Sequence, residues 1–189
     1  SWQIMKPTIN ANAVLTMSST DVNQSTTYID GIGRPIQTVQ RAAGNSADFN
    51  DIVTPIFYDA FGREPYKFLP YEATENTGLF RPNVFAEQNA ALAAQYPGEE
   101  AFFSQTDFDG SPFNTPQKVY PPGNSWVGQQ RGVSTFQFTN NGSDKVKQWT
   151  LYEPLPGYVL PQALQDYAPG SLAKTVTIDE NGKAVVEFK

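Results

Sequence analysis

Pro35-Ile36-Gln37-Thr38-Val39-Gln40 alternates apolar and polar residues and predicts a strand. Ile52 to Phe57 and Tyr66-Lys67-Phe68-Leu69 read the same way. Val133 to Phe138 and Lys145 to Leu151 also alternate, and Asn140-Asn141-Gly142 between them predicts that these two strands pair as a hairpin. Thr175-Val176-Thr177 and Val185-Val186-Glu187-Phe188 flank one further turn. Residues 1–27 are polar with scattered apolar positions and predict an extended lead-in with one edge strand. Two segments break the β pattern. Asn83 to Gln95 is rich in Ala, Gln and Glu and is stopped by Pro97-Gly98. Its Phe85, Gln88, Leu92 and Tyr96 fall at helical spacing, with Ala91 alongside, and predict a helix of about three turns. A second helical turn is expected from Pro161 through Leu164 to Tyr167, ended by Pro169-Gly170.

The strands are punctuated by one recurring turn. Tyr28-Ile29-Asp30-Gly31-Ile32-Gly33-Arg34 aligns without a gap on Phe57-Tyr58-Asp59-Ala60-Phe61-Gly62-Arg63. Ile178-Asp179-Glu180-Asn181-Gly182-Lys183 is a weaker copy, and a degenerate copy starts at Phe108-Asp109-Gly110-Ser111. Repetition of this kind points to an architecture of stacked units. The chemistry of the unit is that of a hairpin. The Asp carboxylate accepts the backbone N–H two residues on. Gly supplies the positive φ needed near the end of the loop. Arg or Lys then opens the return strand within reach of the Asp. The turn residues are Asp30, Gly33 and Arg34, then Asp59, Gly62 and Arg63, then Asp179, Gly182 and Lys183.

Composition narrows the function classes. Hydrophobic residues make up 39% of the chain and aromatic residues 13%, enough for a packed core, while 15 Pro and 14 Gly supply many turns. With no Cys and no His, zinc sites and Ser-His-Asp or Cys-His catalysis are not expected. A net charge of −6 argues against nucleic acid and against an anionic membrane surface. No apolar run approaches the ~20 residues of a membrane span, so no membrane insertion is expected. Ser1-Trp2-Gln3 does not open a signal peptide. A cytosolic protein, a mature form and a segment of something longer all fit these facts.

The turn segments, Tyr28 to Val39 and Tyr58 to Glu64, resemble the YD repeats of Rhs-type proteins. The order of motifs resembles, more closely, the N-terminal domain of unknown function in large secreted Rhs/YD-repeat proteins of Bacteroidetes. That order is Gly33-Arg34-Pro35 with Gln37-Thr38, then Asp51-Ile52-Val53-Thr54-Pro55, Tyr58 to Arg63, Leu69-Pro70-Tyr71, and Lys174-Thr175-Val176-Thr177 with Asp179 to Gly182. The resemblance covers roughly residues 25–189. Two departures stand out: Asp109-Gly110-Ser111-Pro112 lacks the Gly-Arg pair, and Ile178 and Lys183 replace Tyr and Arg. The resemblance implies a piece of a longer secreted or cell-surface polypeptide. In such proteins stacked hairpins curl into a shell around a C-terminal cargo or toxin. The partners it implies are downstream YD repeats of the same polypeptide, and glycans.

Other residues suggest other chemistry. Trp126, Trp149, Tyr120 and Tyr152, with Tyr158, are the residues that would stack on sugar rings in a glycan-binding alternative. Asp107, Asp109 and Asn114 resemble part of a calcium loop, but no Glu follows at the place where a bidentate ligand belongs. Glu99, Glu100, Asp107 and Asp109 are the carboxylates a glycoside hydrolase would need. Gly31 and Gly33 do not form a nucleotide fingerprint, since the third glycine is absent. The expected protein is non-catalytic, with no cofactor and no metal. Its expected fold is mainly β, with antiparallel hairpins in one or two twisted sheets and one short packed helix. It reads as a single module over 1–189, with tandem hairpin units at 28–72, a helix at 83–95 and further hairpins over 100–189. Ile36, Val39, Ile56, Phe68, Leu92, Phe136, Phe138, Trp149 and Val176 are the expected core.

Overall fold

The computed structural model describes residues 1–4, 17–18, 21–45 and 47–189. The chain divides into two compact units, Ser1–Gly132 and Val133–Lys189. It is mainly β, with antiparallel pairing throughout and a single α-helix among the described residues.

The first unit holds β1 (Trp2–Ile4), β2 (Val22–Ile29), β3 (Pro35–Arg41), β4 (Ile52–Pro55), β5 (Tyr66–Phe68), β6 (Tyr71–Glu72), α1 (Val84–Gln95), β7 (Phe103–Phe108) and β8 (Pro116–Tyr120). Strands β1-β2-β3-β4-β6 form one sheet, and β5-β7-β8 are neighbours in another. Much of the expected lead-in, residues 5–16, 19 and 20, lies outside the described residues; its two ends form the edge strand β1 and the start of β2. Val39 stands opposite Val53, and Val53 opposite Tyr71, so one row of side chains crosses β3, β4 and β6. Val84 and Leu92 of α1 pack on that row together with Ala73 and Phe102. These residues are the core.

Period-2 geometry corrects one expectation. Ile36 and Val39 cannot share a strand face, because side chains alternate. The residue that shares Val39's face is Gln37, which is buried, while Ile36 is half-buried on the other side. Gln37 is tolerated there because both ends of its amide are bonded: Nε2 donates to the Arg81 carbonyl at 3.0 Å and Oε1 accepts the Arg81 N–H at 3.0 Å. Asp51 anchors the same region. Its carboxylate accepts N–H bonds from Ala42 (2.9 Å) and Gly78 (2.6 Å) and sits 3.4 Å from Nη2 of Arg81.

The helix forms close to its predicted limits and buries Gln88 and Leu92 of the expected face, with Val84 in place of Phe85 and Tyr96. Val84, Gln88 and Leu92 are buried, whereas Phe85 and Tyr96 are exposed. Gln88 Nε2 donates to the carbonyls of Leu69 and Phe102, both at 3.0 Å, which ties α1 to the strands beneath it. Pro97 cannot continue the helix, and Gly98 follows at φ +91°.

The second unit contains β9 (Val133–Thr139), β10 (Lys147–Leu155), β11 (Tyr158–Asp166), β12 (Ala173–Ile178) and β13 (Ala184–Phe188). Three expectations fail here. β9 does not pair with β10; it pairs with β12, which also pairs with β13. The Asn140 turn is a junction rather than a hairpin loop. Asn140 is buried, its Nδ2 donates to the Ala168 carbonyl (2.9 Å), and its Oδ1 accepts the Leu172 N–H (2.9 Å). The chain thus leaves at Asn140, makes an excursion, and is stitched back 28 and 32 residues later. The second helical turn is also absent, because residues 158–166 form β11 and pair with β10 in a two-stranded ribbon. Pro161 fits such a strand when its missing N–H faces the open edge. The ribbon leaves Trp149 66% exposed, and Phe138 is 56% exposed in β9, so neither belongs to the core. Ile56, Phe68, Phe136 and Val176 are half-buried, while Val39 and Leu92 are buried as expected.

Candidate functional site

The recurring turns are one local structure made three times. In the first, the Asp30 N–H donates to the Arg34 carbonyl at 2.8 Å, and Gly33 N–H donates to the Asp30 carbonyl at 3.1 Å. Asp30 Oδ1 accepts the N–H groups of Ile32 (3.0 Å) and Arg34 (2.9 Å), and Oδ2 accepts Nε of Arg34 at 2.8 Å. Asp59 repeats every one of these bonds with Phe61, Gly62 and Arg63. Asp179 repeats the backbone set with Asn181, Gly182 and Lys183. Gly33, Gly62 and Gly182 adopt φ of +87°, +76° and +81°, a region an L side chain seldom enters. The degenerate copy is stretched by two residues. Asp109 bonds to Thr115 in place of a residue four positions on, and Asn114 takes the left-handed place of glycine at φ +51°.

The three Asp residues sit at separate bends, each closed on its own turn. The arginines of the first two, Arg34 and Arg63, each reach the next turn along the chain. The Arg34 guanidinium lies 4.4 Å from the ring centre of Tyr58, the residue before Asp59. The Arg63 guanidinium lies 4.9 Å from the ring of Phe108, the residue before Asp109, and its Nη1 is 3.4 Å from Asn114 Oδ1.

The carboxylates of Asp30, Asp59 and Asp109 are held ionised. The Arg34 N–H, with its guanidinium and the Ile32 N–H, lowers the Asp30 carboxyl against a smaller effect of burial. Burial pushes Asp59 up, but the Arg63 N–H, its guanidinium and the Phe61 N–H together outweigh it. The Ser111 hydroxyl and the Thr115 N–H lower Asp109. A carboxyl whose folded value lies below its unfolded one stabilises fully above the unfolded value. It loses that contribution as pH falls through the folded value. Carboxyl-detected NMR titration of the whole chain should therefore show Asp30, Asp59 and Asp109 titrating below 3.8, with the turns loosening only under that pH. Midpoints at or above 3.8 would contradict the bonding described.

The other expected groups do not converge. Tyr120 is buried, and its hydroxyl donates to Asp107 Oδ2 at 2.6 Å; burial, then this carboxylate, pushes the phenol up to about 12. It offers no free ring face for a sugar. Trp126 belongs to the first unit and lies against Arg131 at 5.0 Å, while Trp149 and Tyr152 belong to the second. Trp149 and Tyr152 have opposite parity along β10 with no register shift between them, so they face opposite sides of the ribbon. Asp107 is taken by Tyr120 and Gln105, and Asp109 by its own turn. Among the described residues no group of three or more Asp or Glu is placed to hold a metal. Glu99 is committed to the Asn124 N–H at 2.6 Å.

A different site emerges that the sequence did not reveal. Phe57, Tyr66, Phe68, Phe85 and Phe103 line an open cavity of about 400 Å³ in the first unit, with Phe102, Gln88, Asn89 and Glu100 completing its wall. The five rings form a circuit of contacts, Phe57–Tyr66–Phe103–Phe68–Phe85, that is crossed by Tyr66–Phe68 at 6.2 Å. Centroid separations run from 4.9 Å (Phe68–Phe85) and 5.0 Å (Tyr66–Phe103) to 6.4 Å (Phe57–Phe85), with neighbouring planes inclined at 47–79°. Only Phe68 was among the expected core residues. The one local signal was the i, i+2 spacing of Tyr66 and Phe68 on β5.

Fold and site together define a β-hairpin module with self-contained structural turns and an aromatic-lined cavity. The family model described as Domain of unknown function (DUF6443) matches residues 1–140, and the chain belongs to that family. No curated protein and no solved structure matches it.

Proposed function

We propose that this chain is a non-catalytic structural module at the N-terminal end of a secreted or cell-surface Rhs/YD-repeat protein. It starts or caps a β shell around a C-terminal cargo or toxin, and its main partner is the rest of its own polypeptide. The observation that carries this reading is the hand-over between turns: each arginine is fixed by its own Asp and rests on the aromatic residue of the next turn. A unit that presents a docking group to its successor is what a stack of repeats requires. The edges support the same reading. One edge of the five-stranded sheet is β6, a strand of two residues, too short to recruit a stray strand. β13 is a five-residue edge with Val185 and Val186 exposed, the kind of edge along which a shell continues.

Hydrogen exchange on the complete gene product tests this. The outward amides of β13 should be protected in the complete polypeptide and exchange freely in the 189-residue chain. Cryo-electron microscopy of the same product should place this module at one end of a closed β shell. Equal exchange of β13 in both forms, or a module standing apart from any shell, would overturn the proposal.

A further inference from the structure

We infer that the aromatic-lined cavity of the first unit is a binding site for a small quaternary ammonium cation, independent of any role in a repeat stack. The five rings are not part of the apolar core, which is built from Val39, Val53, Tyr71, Ala73, Val84, Leu92 and Phe102. They form a second cluster, and Phe57 and Phe85 remain exposed. The π face of an aromatic ring attracts a cation, and five aromatic rings line this one cavity. The cavity's volume lies within the ~300–1,000 Å³ usual for small-ligand sites.

The polar groups decide which cation. Glu100 is exposed, lines the cavity and has no side-chain partner among the described residues; it supplies the only formal charge of the wall, a negative one. Gln88 has its Nε2 committed to two backbone carbonyls, and the remaining polar side-chain groups of the lining are its Oε1, Asn89 and the Tyr66 hydroxyl. A primary ammonium or a guanidinium needs an acceptor for every N–H it takes out of water, and the five apolar rings of the wall offer none. A quaternary ammonium has no N–H to satisfy. Its methyl groups suit apolar walls, and its charge suits both the ring faces and Glu100. An anion is repelled by the same carboxylate, and a sugar lacks the ring of hydrogen-bonding groups it would need.

Titration of the full chain with choline, followed by NMR shifts of the phenylalanine ring signals, tests this. The controls are 3,3-dimethylbutan-1-ol, the neutral carbon isostere, and guanidinium chloride. Choline should shift Phe57, Phe68, Phe85 and Phe103 selectively and bind about tenfold more tightly than the neutral isostere, with guanidinium weaker than choline. Phe85→Leu keeps the apolar bulk and removes the π face, and should weaken choline about threefold or more without changing the isostere. Glu100→Gln, at an exposed position that does not threaten folding, should weaken choline about two- to fivefold. Equal affinity for choline and its isostere would make this an apolar pocket only. That outcome would overturn the inference, as would indifference to both substitutions or an absence of ring shifts up to about 50 mM choline. None of these results bears on the exchange of β13, so this inference and the shell proposal fail separately.

Discussion

Replacing Asp51 by Ala should destabilise the first unit by about 3–5 kcal/mol, the cost typical of breaking a buried ion pair from one side. Asp51 is fully buried, and Arg81 is 8% exposed. Three groups lose their acceptor at once: the N–H of Ala42, the N–H of Gly78 and the Arg81 guanidinium. One of them sits in strained backbone, since Ala42 has φ +49°; Gly78 at +70° takes a left-handed conformation that glycine adopts freely, and the carboxylate holds both residues in place. Arg81 has little to fall back on. Its Nε is already a buried polar atom without a hydrogen bond, and its remaining partner, Glu75, is mostly exposed. Asp51→Asn should fall between wild type and Asp51→Ala. One oxygen still accepts an N–H, while the new amide turns its own donors toward a donor. Urea unfolding followed by the methyl signals of Val39 and Val53 measures this, because both valines lie in the sheet that Asp51 closes. A loss under about 1 kcal/mol for Asp51→Ala would mean that water replaces the carboxylate and that the network is not structural.

Asp51 also shows why part of the fold could be read from the sequence and part could not. The turns were legible because their chemistry is local: every bond made by the Asp30 and Asp59 side chains ends within four residues. The pairing of β2 with β3 follows from the turn between them. The partners of Asp51 and Gln37 lie 9 to 44 residues away, and no spacing rule connects them. The same holds for β9. Its alternation is clear, as is that of β10, and an Asn-Asn-Gly turn separates them, so a hairpin was the natural inference. What decided otherwise is Asn140, whose side chain binds residues 168 and 172 and closes the excursion before β12 can pair. Residues 158–166 satisfy both periods, since Leu164 and Tyr167 fit a helical turn and Leu160, Gln162 and Leu164 fit a strand. The available partner, β10, settled the matter. The aromatic cavity draws its rings from β5, β7, α1 and the segment after β4. Its existence depends on tertiary placement alone.

The helix allows a quantitative test of which face is buried. Spacing alone nominated Phe85, Gln88, Leu92 and Tyr96, whereas the packed stripe is Val84, Gln88 and Leu92. The difference amounts to a rotation about the helix axis, and it follows from what lies beneath. The row Val39–Val53–Tyr71 accepts the compact Val84 and Leu92 side chains, and the carbonyls of Leu69 and Phe102 fix Gln88 between them. Leu92→Ala should therefore cost about 2–4 kcal/mol, because it removes a fully packed side chain and leaves a cavity against Val53 and Phe102 that the sheet cannot collapse to fill. Tyr96→Ala, at a position 49% exposed just past the last helical turn, should cost less than about 0.5–1 kcal/mol. The two substitutions lie one turn apart on the face that helical spacing nominated, so their ratio reports the rotation directly. Thermal unfolding of both variants gives that ratio. Similar losses for Leu92→Ala and Tyr96→Ala would place the nominated face inward. Phe85 would then be drawn into the core, and the aromatic circuit it completes would have no opening left for a ligand.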